Sequence, residues 1–141
     1  MQRPRIDISP DLDGDAVVHA CFDLSEPEVS ASAHAMRAMA AERFRTSEMS
    51  ADDVLELREF TALADELGEI PAGARTMVMR PSRLSVYRQS VAGFVESRYE
   101  SEWIRDDDRE PLALLSELLQ PLEQLCAEAM RAALSPSQRA Y

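Results

Sequence analysis

Apolar residues recur at helical spacing in four separate stretches of the chain. Between residues 29 and 44 they step by three or four positions, which places them on one face of a helix. Local signals mark the limits of these stretches. Ser25 and Glu28 form a capping box at the first one, and Gly68 followed by Pro71 ends the second. The pattern predicts helices over about 26–46, 51–67, 82–100 and 108–134.

The first 24 residues follow a different pattern. Ile6 and Ile8 alternate with polar residues, Asp13-Gly14 is a turn signal, and residues 16–22 read AVVHACF. Alternation around a turn is typical of a β-hairpin, so we predict a short hairpin or strand here.

The chain of 141 residues has the length of one domain. We predict a mainly α fold, with a segment at 1–24 that is β or irregular, a four-helix bundle-like domain at 25–135 and a tail at 136–141. Residues 76–79 are a candidate for one further short strand.

The predicted last helix is rich in leucine. Seven leucines fall between residues 112 and 125 and cover an arc of about 160°, against about 100° for a helix packed on one side. Such a helix is covered from two directions, either by two other helices of the chain or by a second copy. The predicted self-association surface consists of Leu114, Leu118, Leu122 and Leu125. Pro121 is expected to kink this helix because its nitrogen cannot donate a hydrogen bond.

Composition excludes several functions. The chain contains no lysine, so Schiff-base chemistry and a phosphate-binding lysine are excluded. Asparagine is missing too, a bias that codon use explains better than salt adaptation does. A net charge of −11 argues against affinity for double-stranded nucleic acid or an anionic membrane.

The sequence carries no sign of export or membrane insertion. Its start lacks the apolar core of a secretory signal, and no apolar run approaches the roughly 18 residues of a spanning helix. Cys21 and Cys126 are too few for a disulfide framework, so we expect free thiols and a cytoplasmic protein.

One stretch is basic within this acidic chain. Residues 70–95 hold four arginines and no acid, and two of the arginines flank the predicted start of the third helix. Arginines beside free backbone N–H groups suit a phosphate or carboxylate ligand. The candidates for such an anion site are Arg75, Arg80, Ser82, Arg83 and Arg88. Alternatively, Asp65, Glu66 and Glu69 of the second helix pair with these arginines.

His19 and Cys21 are candidates for metal binding or nucleophilic catalysis. They share one face of the predicted strand, but their Cα atoms are expected to lie about 6.6 Å apart, too far for an easy direct hydrogen bond. His34 or Cys126 would have to supply a third metal ligand, and no standard metal-binding spacing is present. The alternative is a buried cysteine beside a hydrogen-bonded histidine.

We therefore expect a non-catalytic cytoplasmic protein-interaction or regulatory module that associates with itself, without a cofactor. Two alternatives remain. One is a binding protein for a small anionic or phosphate-bearing ligand at the start of the third helix. The other is a small enzyme that uses His19 and Cys21. Trp103 either anchors the corner between the last two helices or is an exposed contact residue.

Overall fold

The computed structural model describes residues 1–43, 51–68 and 75–134. This part of the chain contains four helices and three strands. In chain order they are β1 (Gln2–Pro10), β2 (Ala16–Leu24), α1 (Glu26–Arg43), α2 (Ala51–Gly68), β3 (Arg75–Met79), α3 (Pro81–Tyr99) and α4 (Asp106–Leu134).

The strands form one antiparallel sheet in the order β1-β2-β3, so β2 lies in the middle. Ile6 of β1 and Met79 of β3 both lie opposite Ala20 of β2. Successive side chains of a strand point to opposite faces. Ala20, Phe22 and Leu24 therefore share the inner face of β2, where they are buried.

The predicted fold class, a mainly α bundle with a short N-terminal hairpin, is wrong. The protein is an α+β domain, because Arg75–Met79 adds a third strand to the hairpin. The partner of β3 is β2, which precedes α1 and α2 in the chain. Helical spacing reports local structure, and it carries no information about a pairing across two intervening helices.

The helices build the core against this sheet. α3 and α4 contact the sheet, α1 packs against both of them, and α2 packs mainly against α1. α4 continues through Pro121 without interruption and is covered by the sheet, α1 and α3. Most of its wide leucine face is therefore buried within the chain.

The helix limits lie close to the predicted ones wherever they can be compared. The capping box at α1 is confirmed: the Ser25 N–H donates to Oε1 of Glu28 over 2.9 Å, and the Glu28 N–H donates to Oγ of Ser25 over 3.3 Å. α3 begins at Pro81 and α4 at Asp106. The predicted end of the first helix near residue 46 and the tail at 136–141 lie outside the described residues.

Candidate functional site

A buried carboxylate joins three helices. Asp108, in the first turn of α4, is 5% exposed. Its Oδ1 accepts a hydrogen bond from Nε2 of His34 in α1 over 2.7 Å, and its Oδ2 accepts one from Nε of Arg98 in α3 over 3.0 Å. Nη1 of Arg98 also donates to Oε1 of Glu42 in α1 over 2.7 Å. These four side chains, which we call the Asp108 network, connect α1, α3 and α4.

The Phe94 ring packs against two members of this network, Arg98 and His34. The guanidinium carbon of Arg98 lies 4.8 Å from the centre of the Phe94 ring, within the range of a cation–π contact. The His34 ring meets the same phenyl ring edge-on, with 5.7 Å between the centroids. Both polar side chains therefore have fixed orientations against an apolar surface.

The electrostatics of the network favour ionised groups. Burial works to raise the pKa of Asp108, but the hydrogen bonds and charges of His34 and Arg98 outweigh it and hold that pKa below the ordinary value. Burial also opposes the charge of Arg98, yet Glu42 and Asp108 raise its pKa. Because an ionised carboxylate only accepts hydrogen bonds, Nε2 of His34 carries the hydrogen of the bond to Asp108.

An open groove of about 740 Å³ lies beside the network, between α1 and the start of α4. We call it the α1–α4 groove. Its lining includes the apolar residues Pro27, Ala31, Pro111 and Leu114, together with Ser30 and the His34 side chain, which is 37% exposed. The acidic lining residues are Glu26, Asp106, Asp107 and Glu110.

A second depression, of about 640 Å³, is lined by other members of the network. Arg98 and Asp108 line it together with Trp103 and Arg105 of the segment between α3 and α4. Trp103 is 75% exposed. Of the two interpretations of this tryptophan, the structure therefore favours the exposed contact residue over a buried anchor.

Two of the four arginines predicted to bind an anion form ion pairs with α2. Glu66 of α2 forms ion pairs with Arg83 at 2.7 Å and with Arg75 at 3.8 Å. Arg80 and Ser82 are exposed at the start of α3, and Arg88 is half-buried further along it. Glu66 thus supplies the anion for two of the arginines, the arrangement described above as the alternative to ligand binding.

His19 and Cys21 lie together on the outer face of β2. His19 is half-buried and Cys21 is buried, with Arg5 and Val78 as its neighbours across the sheet. The possible third ligands have other partners: His34 bonds to Asp108, and the Cys126 thiol contacts the carbonyl of Leu84. The described residues contain no group of three histidine, cysteine or acidic side chains placed to hold a metal ion.

The leucines predicted to form a self-association surface are mostly internal. Leu118, Leu122 and Leu125 are at most 2% exposed, because α1, α3 and the sheet already cover that face of α4. Leu114 is half-buried and lines the α1–α4 groove. In this fold a second copy has no access to the three internal leucines.

The Asp108 network was not predicted, although the sequence carries a signal for it. Arg98 continues the buried stripe of α3 at helical spacing after Phe94, and Asp108 precedes Leu112 in the buried stripe of α4. A charged residue at a position that the period assigns to the interior needs a buried partner. Two such residues of opposite sign on neighbouring helices indicate an ion pair.

Comparison of the chain with family models, with curated proteins and with solved structures gave no significant match. None of the helices in the described part of the chain combines the length and the apolar character that crossing a bilayer requires.

Proposed function

We propose that this protein is a non-catalytic protein-interaction module whose α1–α4 groove binds a basic segment of a partner protein. One observation carries the proposal: four carboxylates and four apolar side chains line the same groove of about 740 Å³. A groove of this size accommodates several side chains of a bound peptide.

The charge of the groove supports a basic partner. Among the described residues, Asp106 alone of the four acids has a basic side chain at ion-pair distance, Arg109 at 3.4 Å. The N-terminal ends of α1 and α4 offset part of the negative charge, because helix N-termini carry partial positive charge. The lining residues remain acidic in sum, and they attract arginine or lysine side chains.

The apolar residues of the groove lining indicate that the partner segment also carries an apolar side chain. An exposed ion pair stabilises a complex by at most about 1 kcal/mol, so several pairs and some apolar burial are needed for binding. Leu114, which is half-buried, lines the groove together with the acids and offers that apolar contact. The fitting partner segment has basic residues on either side of an aliphatic one.

The His34–Asp108 pair is better explained by structure than by catalysis. A histidine held by a carboxylate is also a general-base arrangement. Here, however, the second oxygen of Asp108 binds Arg98, and Glu42 closes the network. Among the hydrogen bonds of the described residues, none joins His34 to a hydroxyl or thiol group.

Isothermal titration calorimetry tests the proposal. The probe is a short acetylated peptide in which arginines flank one leucine, and the matched control peptide carries glutamine in place of arginine. We expect the arginine peptide to bind more weakly as salt is added, because exposed charges are screened. Binding of the glutamine peptide with equal affinity would contradict the proposal.

Two charge reversals on α4 locate the binding surface. Glu110 lines the groove, whereas Glu117 is exposed on the same helix outside the groove lining. We expect Glu110→Lys to weaken peptide binding several-fold and Glu117→Lys to leave it nearly unchanged. Equal losses in both variants would mean that general charge, and not the groove, attracts the peptide.

Three earlier expectations stay predictions. They are self-association, the cytoplasmic location, and anion binding at the start of α3. For the last of these, the pairing of Arg75 and Arg83 with Glu66 leaves fewer arginines available to a ligand.

A further inference from the structure

The two edges of the sheet differ in their ability to accept another strand. β1 forms one edge and carries Pro4, which has no N–H to donate. Arg3 beside it adopts a φ of 48°, and the register with β2 shifts between Gln2 and Arg5. An interrupted row of backbone groups opposes strand addition, so the β1 edge is protected.

The β3 edge has none of these features. β3 reads RTMVM, contains no proline, and pairs with β2 residue by residue without a shift in register. Alternate N–H and C=O groups of an edge strand point away from the sheet. In the part of the chain that the structure describes, no second strand pairs with β3, and Val78 is 60% exposed on the outer face.

The charge around β3 makes this edge less repulsive towards a second copy than the acidic parts of the chain are. The net charge of −11 makes most contacts between two copies repulsive. Residues 70–95, however, contain no acid, and Glu66 neutralises part of the charge of Arg75 and Arg83. Two copies that meet along β3 therefore keep their acidic regions apart, and Glu66 of each copy offsets part of the positive charge that the contact brings together.

We propose that β3 pairs antiparallel with β3 of a second copy, across a two-fold axis, and joins the two sheets into one. In antiparallel pairs, directly opposed residues lie on the same face of the sheet. Val78 therefore meets Thr76 or Val78 of the other copy, and its exposed side chain is covered. The contact is isologous and closes both β3 edges, which leaves only the protected β1 edges free.

This proposal does not depend on the α1–α4 groove, because no residue of β3 lines that groove. It also replaces the leucines of α4 as the surface for self-association. Those leucines are buried within the chain, whereas the backbone groups at the β3 edge are unpaired among the described residues.

Light scattering on a size-exclusion column tests the dimer across a range of protein concentrations. We expect the mass to rise with concentration from that of one chain, 15.8 kDa, towards twice that value. Val78→Lys places like charges close to the two-fold axis, and this variant is expected to stay monomeric where the unaltered protein is dimeric. Leu12→Lys makes the same charge change at a fully exposed turn residue and is expected to dimerise normally.

Hydrogen exchange of the β3 amides provides a second readout that separates strand pairing from other contacts. In the unaltered protein we expect alternate β3 amides to exchange more slowly as concentration rises, while a Val78→Lys variant with unchanged circular dichroism shows no such change. A mass of one chain at every concentration would overturn the proposal. A dimer fraction of Val78→Lys equal to that of the unaltered protein would overturn it too. So would exchange rates of the β3 amides that do not change with protein concentration.

Discussion

Nε2 of His34 and Oδ1 of Asp108 lie 2.7 Å apart, although 74 positions separate the two residues in the chain. His34 belongs to α1, and Asp108 lies in the first turn of α4. These two helices are also the walls of the α1–α4 groove. The hydrogen bond therefore joins the two walls, and the stability of the fold and the shape of the groove both depend in part on this contact.

Loss of the Asp108 charge is expected to destabilise the protein. Asp108→Asn removes one of the two carboxylates that pair with Arg98, whose side chain is 16% exposed. Removing one partner of a buried ion pair costs about 3 kcal/mol or more of unfolding free energy. Urea denaturation measures this loss, and Asp107→Asn is the matched control, with an expected change within about 0.5 kcal/mol because its side chain is exposed. Equal changes in both variants would contradict the role given to Asp108.

The effect of Asp108 on stability is expected to disappear in acid. Its pKa in the folded protein lies below the ordinary value of 3.8, so folding favours the ionised form. This contribution is complete above pH 3.8 and decreases as the pH falls through the lower, folded pKa. Unfolding free energies of the unaltered protein and of Asp108→Asn should therefore converge as the pH is lowered from 3.8 through the folded pKa of Asp108. A difference that stays constant across this range would show that the carboxylate charge contributes nothing.

Tyr87 and Ser32 form a second buried polar contact, between α3 and α1. Their hydroxyl groups are hydrogen-bonded, and both residues are fully buried. Tyr87→Phe leaves the Ser32 hydroxyl without this partner, so we expect a loss of about 1–3 kcal/mol in unfolding free energy. Adding Ser32→Ala to that variant should recover part of the loss, because no unpaired hydroxyl remains. Strictly additive losses in thermal or urea unfolding would argue against direct coupling.

Cys126 is expected to react slowly with thiol reagents. Burial raises the pKa of its thiol to about 11, so little thiolate is present at neutral pH. Cys21 is buried as well, at 4% exposure. A colorimetric thiol assay should show slow labelling of the folded protein and rapid labelling of two thiols in urea. Rapid labelling of both thiols before unfolding would contradict the burial of these cysteines.

Local signals made the helices predictable. The capping box of Ser25 and Glu28, the glycine at position 68 and the proline at position 81 each act within a few residues of a helix end. β3 has no such signal for its partner. Its five residues are compatible with a strand. No local signal, however, indicates that Met79 lies opposite Ala20, because two helices separate these residues in the sequence. The sheet, and with it the fold class, therefore required the tertiary structure.

The leucines of α4 show that the sequence is equally limited in predicting which elements pack together. Their wide arc correctly indicated that α4 is covered from two directions, yet it could not say by what. The sheet, α1 and α3 together supply the cover. The groove escaped prediction because its walls come from two helices that are distant in sequence. Arg98 and Asp108 were visible as charged residues within apolar stripes, but only the fold brings them together with His34.

A nuclear magnetic resonance titration of the ¹⁵N-labelled protein with the arginine–leucine peptide tests the central claim most directly, since the amide shifts report which surface the peptide touches. We predict that the largest shifts fall on the groove residues, above all Ala31, His34 and Leu114, and that added salt reduces them. Shifts centred on α2 or on the basic start of α3, or no shifts with the peptide in large excess, would contradict the assignment of the α1–α4 groove as the binding surface.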